Sequence, residues 1–247
     1  MQLYFIRHGQ SQNNAHWQDP GYTESPDPDL TDLGREQALC LAEYLHKNQP
    51  LSAPNHENAL NRRGYGLTHL YCSLMSRAVD TAAPTARVLG IPWSAWPEIH
   101  EEGGIYSRGD KTNLSGLPGK PRSYFEKNFP ELVLPASLDE SGWYNRPFET
   151  EPERQPRADQ FLLDLLARHG DQEGQPEDHV AIVSHGGFFM RFLSAMLQLP
   201  WRQAAAGMKS WFGIYNGSIS RFDFTHGDLT VCYINRLDHL PDHLITG

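Results

Sequence analysis

The chain has few cysteines, fewer basic than acidic residues, and no long apolar run. Its 247 residues hold three cysteines, Cys40, Cys72 and Cys232, far apart and without a CxxC pair. That pattern excludes a disulfide framework and a zinc ribbon, and reduced thiols in a cytoplasmic setting are the expectation. Lys and Arg total 21 against 30 Asp and Glu, a formal net charge of -9. A general nucleic-acid binder carries the opposite balance. A small anionic substrate stays open, because a few arginines set the field inside a cleft. No stretch approaches the ~18 consecutive apolar residues of a membrane helix. Met1-Gln2-Leu3 opens without a basic region or an apolar segment, so neither a signal peptide nor a membrane contact is expected. There is no internal repeat, no low-complexity block and no HExxH pair for a metal.

What is present starts with hydrophobic residues at 39 %, sufficient for one folded domain over residues 1–247. Short apolar runs alternate with helical patterns. Leu3-Tyr4-Phe5-Ile6, Thr68 to Ser73, Ile91 to Trp96 and Val180-Ala181-Ile182-Val183-Ser184 read as buried strands. Ala38, Leu41, Ala42 and Leu45 share one helical face, in a helix capped by Thr31 or Asp32 and ended by Asn48 and Pro50. A second helix runs from about Arg77, capped by Ser76, to Gly90, with Pro84 kinking it or placing a boundary there. A third is expected over residues 158–169, and an apolar one from Phe188 to Leu199. Ser218–Phe224 and Leu229–Asn235 form a hairpin through His226-Gly227-Asp228, followed by a polar tail, 236–247. Alternation of this kind predicts an α/β sandwich. Residues 103–157 have no sustained period and read as an insertion, a lid over the C-terminal ends of the strands.

The chemistry gathers where strands end. The first strand runs into Arg7-His8-Gly9, the last buried one into Ser184-His185-Gly186-Gly187, and another ends at Ser73 with Arg77 just beyond. In open α/β sheets ligands bind at those carboxyl ends. Two imidazoles and two guanidiniums on one rim suit a phosphoryl group: arginines neutralise its oxygens while a neutral imidazole attacks phosphorus.

Arg7-His8-Gly9-Gln10-Ser11 with Asn14, Leu30-Thr31 through Gly34, Gln37 and Ala38, Tyr71-Cys72-Ser73 to Ser76-Arg77-Ala78, Thr81-Ala82, Val183 to Gly187, and Asn216 with Ser218-Ile219 follow one another in order. This series resembles the histidine phosphatase superfamily, which includes cofactor-dependent phosphoglycerate mutase. The resemblance implies a three-layer sandwich with a mainly parallel sheet, and a phosphomonoester hydrolase working through a phosphohistidine, with no metal and no cofactor. It implies His8 as nucleophile, and Arg7, Arg77, His185, Asn14 and the Gly186 N–H as the phosphate pocket, with His185 stabilising transition-state charge.

The family's general acid is a carboxylate before glycines, and Pro97-Glu98-Ile99-His100-Glu101-Glu102-Gly103-Gly104 offers three. Glu101 is the first choice, then Glu102, then Glu98; an adjacent phosphate dianion favours the protonated form a general acid needs. Gln10 stands where many members have Glu, and Gly187 where mutases usually carry Asn, which favours hydrolysis over a mutase. An inactive phosphate-binding module is the remaining alternative. Among Arg62, Arg63, Lys111, Lys120 and Arg122, Arg122 is assigned to the substrate because it lies in the lid, whose aromatics Tyr106, Tyr124 and Trp143 are available for stacking. His16, His46, His69, His100 and His169 have no partner pattern, and Asp238-His239 with Asp242-His243 read as solvated tail residues.

Overall fold

The computed structural model describes residues 1–48, 60–109, 113–170, 175–199 and 211–247; Pro50 and Lys111 lie outside them. In chain order the elements are β1 (Gln2–Arg7), α1 (Gln12–His16), α2 (Asp32–Lys47), β2 (His69–Cys72), α3 (Ser76–Leu89), β3 (Trp93–Ala95), β4 (Tyr106–Arg108), β5 (Leu114–Gly116), α4 (Arg122–Asn128), β6 (Leu132–Val133), α5 (Glu151–His169), β7 (His179–Ser184), α6 (Gly186–Leu197), β8 (Ile219–Thr225) and β9 (Asp228–Arg236).

Seven strands form one sheet in the order β6-β3-β2-β7-β1-β8-β9. The first five of that order run parallel, and β8 and β9 are antiparallel. Side chains alternate across the pleat, so each strand feeds two cores. Tyr4, Ile6, Leu70, Cys72, Ala181 and Val183 face Leu41 and Leu45 of α2 and Ala78, Val79 and Ala82 of α3. Leu3, Phe5, Val180 and Ile182 face Phe161 and Leu165 of α5 and Phe188, Phe189 and Phe192 of α6. Helices on both faces of a mainly parallel sheet make the three-layer sandwich the sequence predicts.

β1 and β7 are neighbours, and their register pairs Arg7 with Ser184. The residues that follow, His8 and His185, therefore emerge side by side from the middle of the sheet. Ser73 continues β2 in the same direction, its N–H bonded to Val183 O at 3.0 Å, and α3 leads away from that end with Arg77 in its first turn.

Several boundaries differ from the sequence reading. The third helix begins at Glu151, because Thr150 and Glu153 close a capping box and Pro152 sits in the first turn, where no N–H is required. Met75, not Ser76, is the α3 N-cap. Residues 103–157 contain the β4–β5 ribbon, α4, and β6, which joins the main sheet beside β3. Phe125, Leu132, Leu138, Trp143 and Tyr144 merge with the core on the α2–α3 side. Of this segment, Gly104 and the β4 end, Tyr106 to Gly109, overhang the strand ends. The tail is not loose: Gln37 Nε2 donates to Leu244 O (2.6 Å) and Thr246 Oγ1 (2.9 Å), and Asn216 N donates to Thr246 O (2.8 Å). The hairpin turns at His226-Gly227, with φ of 52° and 85°, the positive pair that a two-residue β-turn demands.

Candidate active site

His8 is 3 % exposed. Its Nδ1 lies 2.6 Å from Gly9 O, so the proton resides on Nδ1 and the lone pair on Nε2. That lone pair accepts from Arg77 Nε at 3.1 Å. The His185 ring stands 5.1 Å from that of His8, centroid to centroid. It is fully buried, and neither of its nitrogens has a partner among the described residues. Arg7 donates through Nη1 to Ile214 O at 2.5 Å, while its buried Nε is likewise unpartnered. A buried polar atom without a partner costs on the order of 1–3 kcal/mol. Unpartnered nitrogens on Arg7 and His185, beside His8, suit an oxygen-rich anion.

Burial drives the electrostatics. Desolvation, then the guanidiniums of Arg77 and Arg7, hold His8 well below the ordinary histidine range. His185 is pushed the same way, by burial first and then by Arg77 and His8. Both imidazoles are neutral at neutral pH. Burial lowers Arg7 to about 10, which leaves it protonated.

The framework holds these groups in place. Gly9 N donates to Thr81 Oγ1 at 3.0 Å, and Thr81 Oγ1 donates to Arg77 O at 2.6 Å. Asp27 accepts from Ser76 N (3.0 Å) and Ser76 Oγ (2.7 Å) at the start of α3 and lies 4.0 Å from Arg77 Nη1. A Cβ on Gly9 would strike Gly34 O, so glycine permits α2 to abut the motif. Asn216 Nδ2 donates to His8 O (3.1 Å) and to Asn14 Oδ1 (3.3 Å), the oxygen that also takes the Ser11 N–H and hydroxyl. Ser11 is thus the N-cap of α1, and Asn14, in its first turn, closes the capping box beside the cavity.

The three glutamates separate. Glu101 projects over the start of α6: Oε1 accepts from Phe188 N (3.0 Å) and Glu102 N (2.9 Å), and Oε2 from Gly187 N (3.2 Å). A Cβ on Gly187 would collide with that carboxylate, so the glycine that departs from the mutase pattern makes room for Glu101. Glu102 is held by Arg191 Nε (2.5 Å) and Arg154 Nη1 (3.0 Å). Glu98 borders a different cavity, with Tyr71, Trp96 and Arg168. The loop is anchored by Arg157, which pairs with Glu149 and donates to Glu98 O (2.6 Å) and His100 O (3.1 Å).

A cavity of about 680 Å³ opens from Arg7, His8, Asn14, Arg77 and Glu101 outward past Trp17, Tyr22, Tyr106 and Arg108. A second, of about 590 Å³, meets it at Arg7, Glu101 and Glu102 and is bordered by Gly186, Gly187, Trp211 and Tyr215. The expectation for Arg122 is corrected. Its guanidinium donates to Leu138 O, Pro135 O and Glu126, bracing the lid from within, and it borders neither cavity. Tyr124 packs on Phe125, and Trp143 against Tyr144 and His100, as core; only Tyr106 of the three aromatics reaches the cavity. Asp27, Trp17, Tyr22 and Arg108 escaped the sequence reading, since isolated residues in a Pro- and Asp-rich loop or a short ribbon carry no spacing signal.

With two buried histidines and two arginines converging on one anion-sized spot, the site can be set beside known proteins. The model of the histidine phosphatase superfamily (branch 1) matches residues 3–236. The chain belongs to the histidine phosphatase superfamily. Among related histidine phosphatases is the glucosyl-3-phosphoglycerate phosphatase of Mycolicibacterium vanbaalenii, 29 % identical over 199 residues, covering 80 % of this chain and 75 % of that one. The probable phosphoglycerate mutase of Cronobacter sakazakii is 26 % identical over 225 residues, covering 91 % and 85 %. The fold matches that of a mycobacterial glucosyl-3-phosphoglycerate phosphatase solved with inorganic phosphate, with a TM-score of 0.56 and 21 % identity over 97 % of this chain and 99 % of that one. Among the described residues of this histidine phosphatase, His, Cys, Asp and Glu donors cluster tightly enough for a metal at one place, His69, His169 and Asp178, at the far end of the sheet.

Proposed function

We propose that this histidine phosphatase hydrolyses a phosphomonoester with His8 as nucleophile and Glu101 as general acid. The observation that carries the reading is the His8 ring, kept neutral by burial, whose Nε2 lone pair accepts from Arg77 Nε at 3.1 Å while the His185 ring stands beside it and Arg7 Nε and the His185 nitrogens are left unpartnered. The phosphoryl oxygens take the donors of Arg7, Arg77 and His185, and Arg77 releases the lone pair as it turns to the phosphate. The nitrogen–phosphorus bond forms as the ester oxygen leaves in line, and that oxygen takes the Glu101 proton. The Nδ1–H to Gly9 O bond supports the charge on the phosphorylated ring. Water then attacks phosphorus, its proton passes to Glu101, the nitrogen–phosphorus bond breaks, and His8 returns neutral. Two guanidiniums supply the positive charge, so phosphate release should persist with a chelator present.

The outer cavity supports a substrate with a sizeable polar body, such as a glycosylated phosphoglycerate of the kind named for the mycobacterial relatives. Two cavities meeting at Arg7 and Glu101 give water a route to the phosphoenzyme, which favours hydrolysis over a mutase. The full complement of pocket groups argues against an inactive binding module. Free Cys40, Cys72 and Cys232 support a cytoplasmic setting, and among the described residues no helix is long and apolar enough to cross a membrane. Phosphate release from an aryl phosphate by wild type, lost in His8→Ala, tests the assignment; retained turnover in that variant overturns it. Incubation with 3-phosphoglycerate separates the mutase, which would return an isomer in place of inorganic phosphate.

A further inference from the structure

We propose a divalent-metal site, suited to Zn²⁺, formed by His69, His169 and Asp178 at the end of the sheet opposite the phosphate pocket. The three residues come from the start of β2, the end of α5, and the residue before β7, so only the folded chain assembles them. One ligand atom from each lies within 4.8 Å of the others. His69 Nδ1 is 3.7 Å from one carboxylate oxygen of Asp178, and His169 Nδ1 is 2.8 Å from the other. Zinc bonds of ~2.0–2.1 Å in tetrahedral geometry place donors about 3.3 Å apart. The Asp178–His169 spacing is inside that value and the Asp178–His69 spacing a few tenths of an ångström beyond it, so rotation of the partly exposed His69 ring is the adjustment that closes a set whose donors already lie within 4.8 Å.

The surroundings fit ligation. Tyr71 Oη lies 2.9 Å from His169 Nε2. Without an ion, His169 Nδ1–H donates to Asp178 and Nε2 accepts from Tyr71 Oη; an ion taking the Nδ1 lone pair would move the proton to Nε2, which then donates to the phenol oxygen, the outer hydrogen bond that metal-ligating histidines characteristically make. Thr68 Oγ1 contacts His69 Nδ1 at 2.8 Å but also reaches His179 O at 3.2 Å, so freeing that nitrogen costs no partner. Burial is asymmetric: the His169 side chain is 5 % exposed, whereas His69 and Asp178 are 41 % and 32 % exposed. An ion has an entry from solvent and a fourth position open to water. The metal-free alternative is a plain Tyr71–His169–Asp178 hydrogen-bond chain. That chain does not include His69, which contacts Thr68 and the rings of Tyr71 and His169 and whose Nδ1 also lies 3.7 Å from the same carboxylate. β7 is six residues long, which at ~3.3 Å per residue sets the site about 20 Å from His185. The ion would clip the end of α5 to the sheet and take no part in phosphoryl transfer.

The test is zinc titration of chelator-treated, dialysed full-length protein, followed by calorimetry and thermal unfolding, with Co²⁺ absorption as reporter. Wild type should take up one equivalent, gain Tm, and give a cobalt d–d band of nitrogen–oxygen ligation. His69→Ala, whose substituted side chain is exposed, should bind about tenfold or more weakly and lose the Tm gain, with unchanged metal-free Tm and unchanged phosphate release. Asp178→Asn should likewise lose the cobalt band. No uptake by wild type overturns the proposal. So does equal uptake by His69→Ala, which would place the ion away from this cluster.

Discussion

His8 and Glu101 have separable tasks, and each leaves its own kinetic signature. Without its nucleophile the pocket still binds phosphate, so His8→Ala should lower turnover at least about 10³-fold while retaining affinity for inorganic phosphate. Glu101→Gln should slow esters of alkyl alcohols by about 10²–10⁴-fold, the usual worth of general acid catalysis. Aryl esters with good leaving groups should be affected far less, whereas Glu98→Gln should leave both unchanged. A uniform loss across leaving groups in Glu101→Gln would remove it from the proton-transfer role. Gly187→Ala tests the seat of that carboxylate. Its methyl occupies the space of Oε1, so the variant should reproduce the leaving-group dependence of Glu101→Gln while His8 still accepts phosphate.

At the scale of elements, the chain order was readable where physics is local. The apolar runs of β1 and β7 ending in His-Gly announced both strands and the side of the sheet on which the chemistry sits. The stripe of α2, the positive φ that Gly90 supplies after α3, and the glycine turn of the β8–β9 hairpin were equally legible. The early start of α5 at Glu151 was not legible because residues 151–157 show no apolar period, the helix start being set by the Thr150–Glu153 box. The role of Arg122 was misjudged because a lid arginine near in sequence to the cavity looks the same as one whose guanidinium is taken by Pro135 and Leu138 carbonyls. The docking of residues 241–247 was invisible: it depends on Gln37 and Asn216, far away in sequence. Removing residues 241–247 should therefore cost about 1–3 kcal/mol in urea unfolding, by stripping the buried Gln37 amide of its two partners and deleting the buried Leu244 side chain. No change in stability would show that the tail merely lies on the surface.

The whole molecule carries buried neutral histidines as a pH liability. His8, His100 and His185 are all held below the ordinary histidine value chiefly by burial, and His239 is lowered to about 4 for the same reason. Below about pH 6.5 the unfolded chain takes up protons that the folded one refuses. Stability is therefore full above that pH and falls as pH drops toward the folded values. Urea midpoints should be level between pH 7 and 8 and decline clearly by pH 5.5, with inorganic phosphate offsetting part of the decline by binding the folded pocket. A flat profile down to pH 5 would mean these rings are not buried neutral.

The arrangement of β1 beside β7 brings two remote imidazoles to one anion, and rapid-quench trapping tests that most directly. Mixing enzyme with a phosphomonoester and quenching within one turnover should yield a stoichiometric, acid-labile phosphoryl group that peptide mapping places on His8. A phosphoryl group on any other residue, or turnover with no trapped intermediate when dephosphorylation is made rate-limiting, would contradict the account.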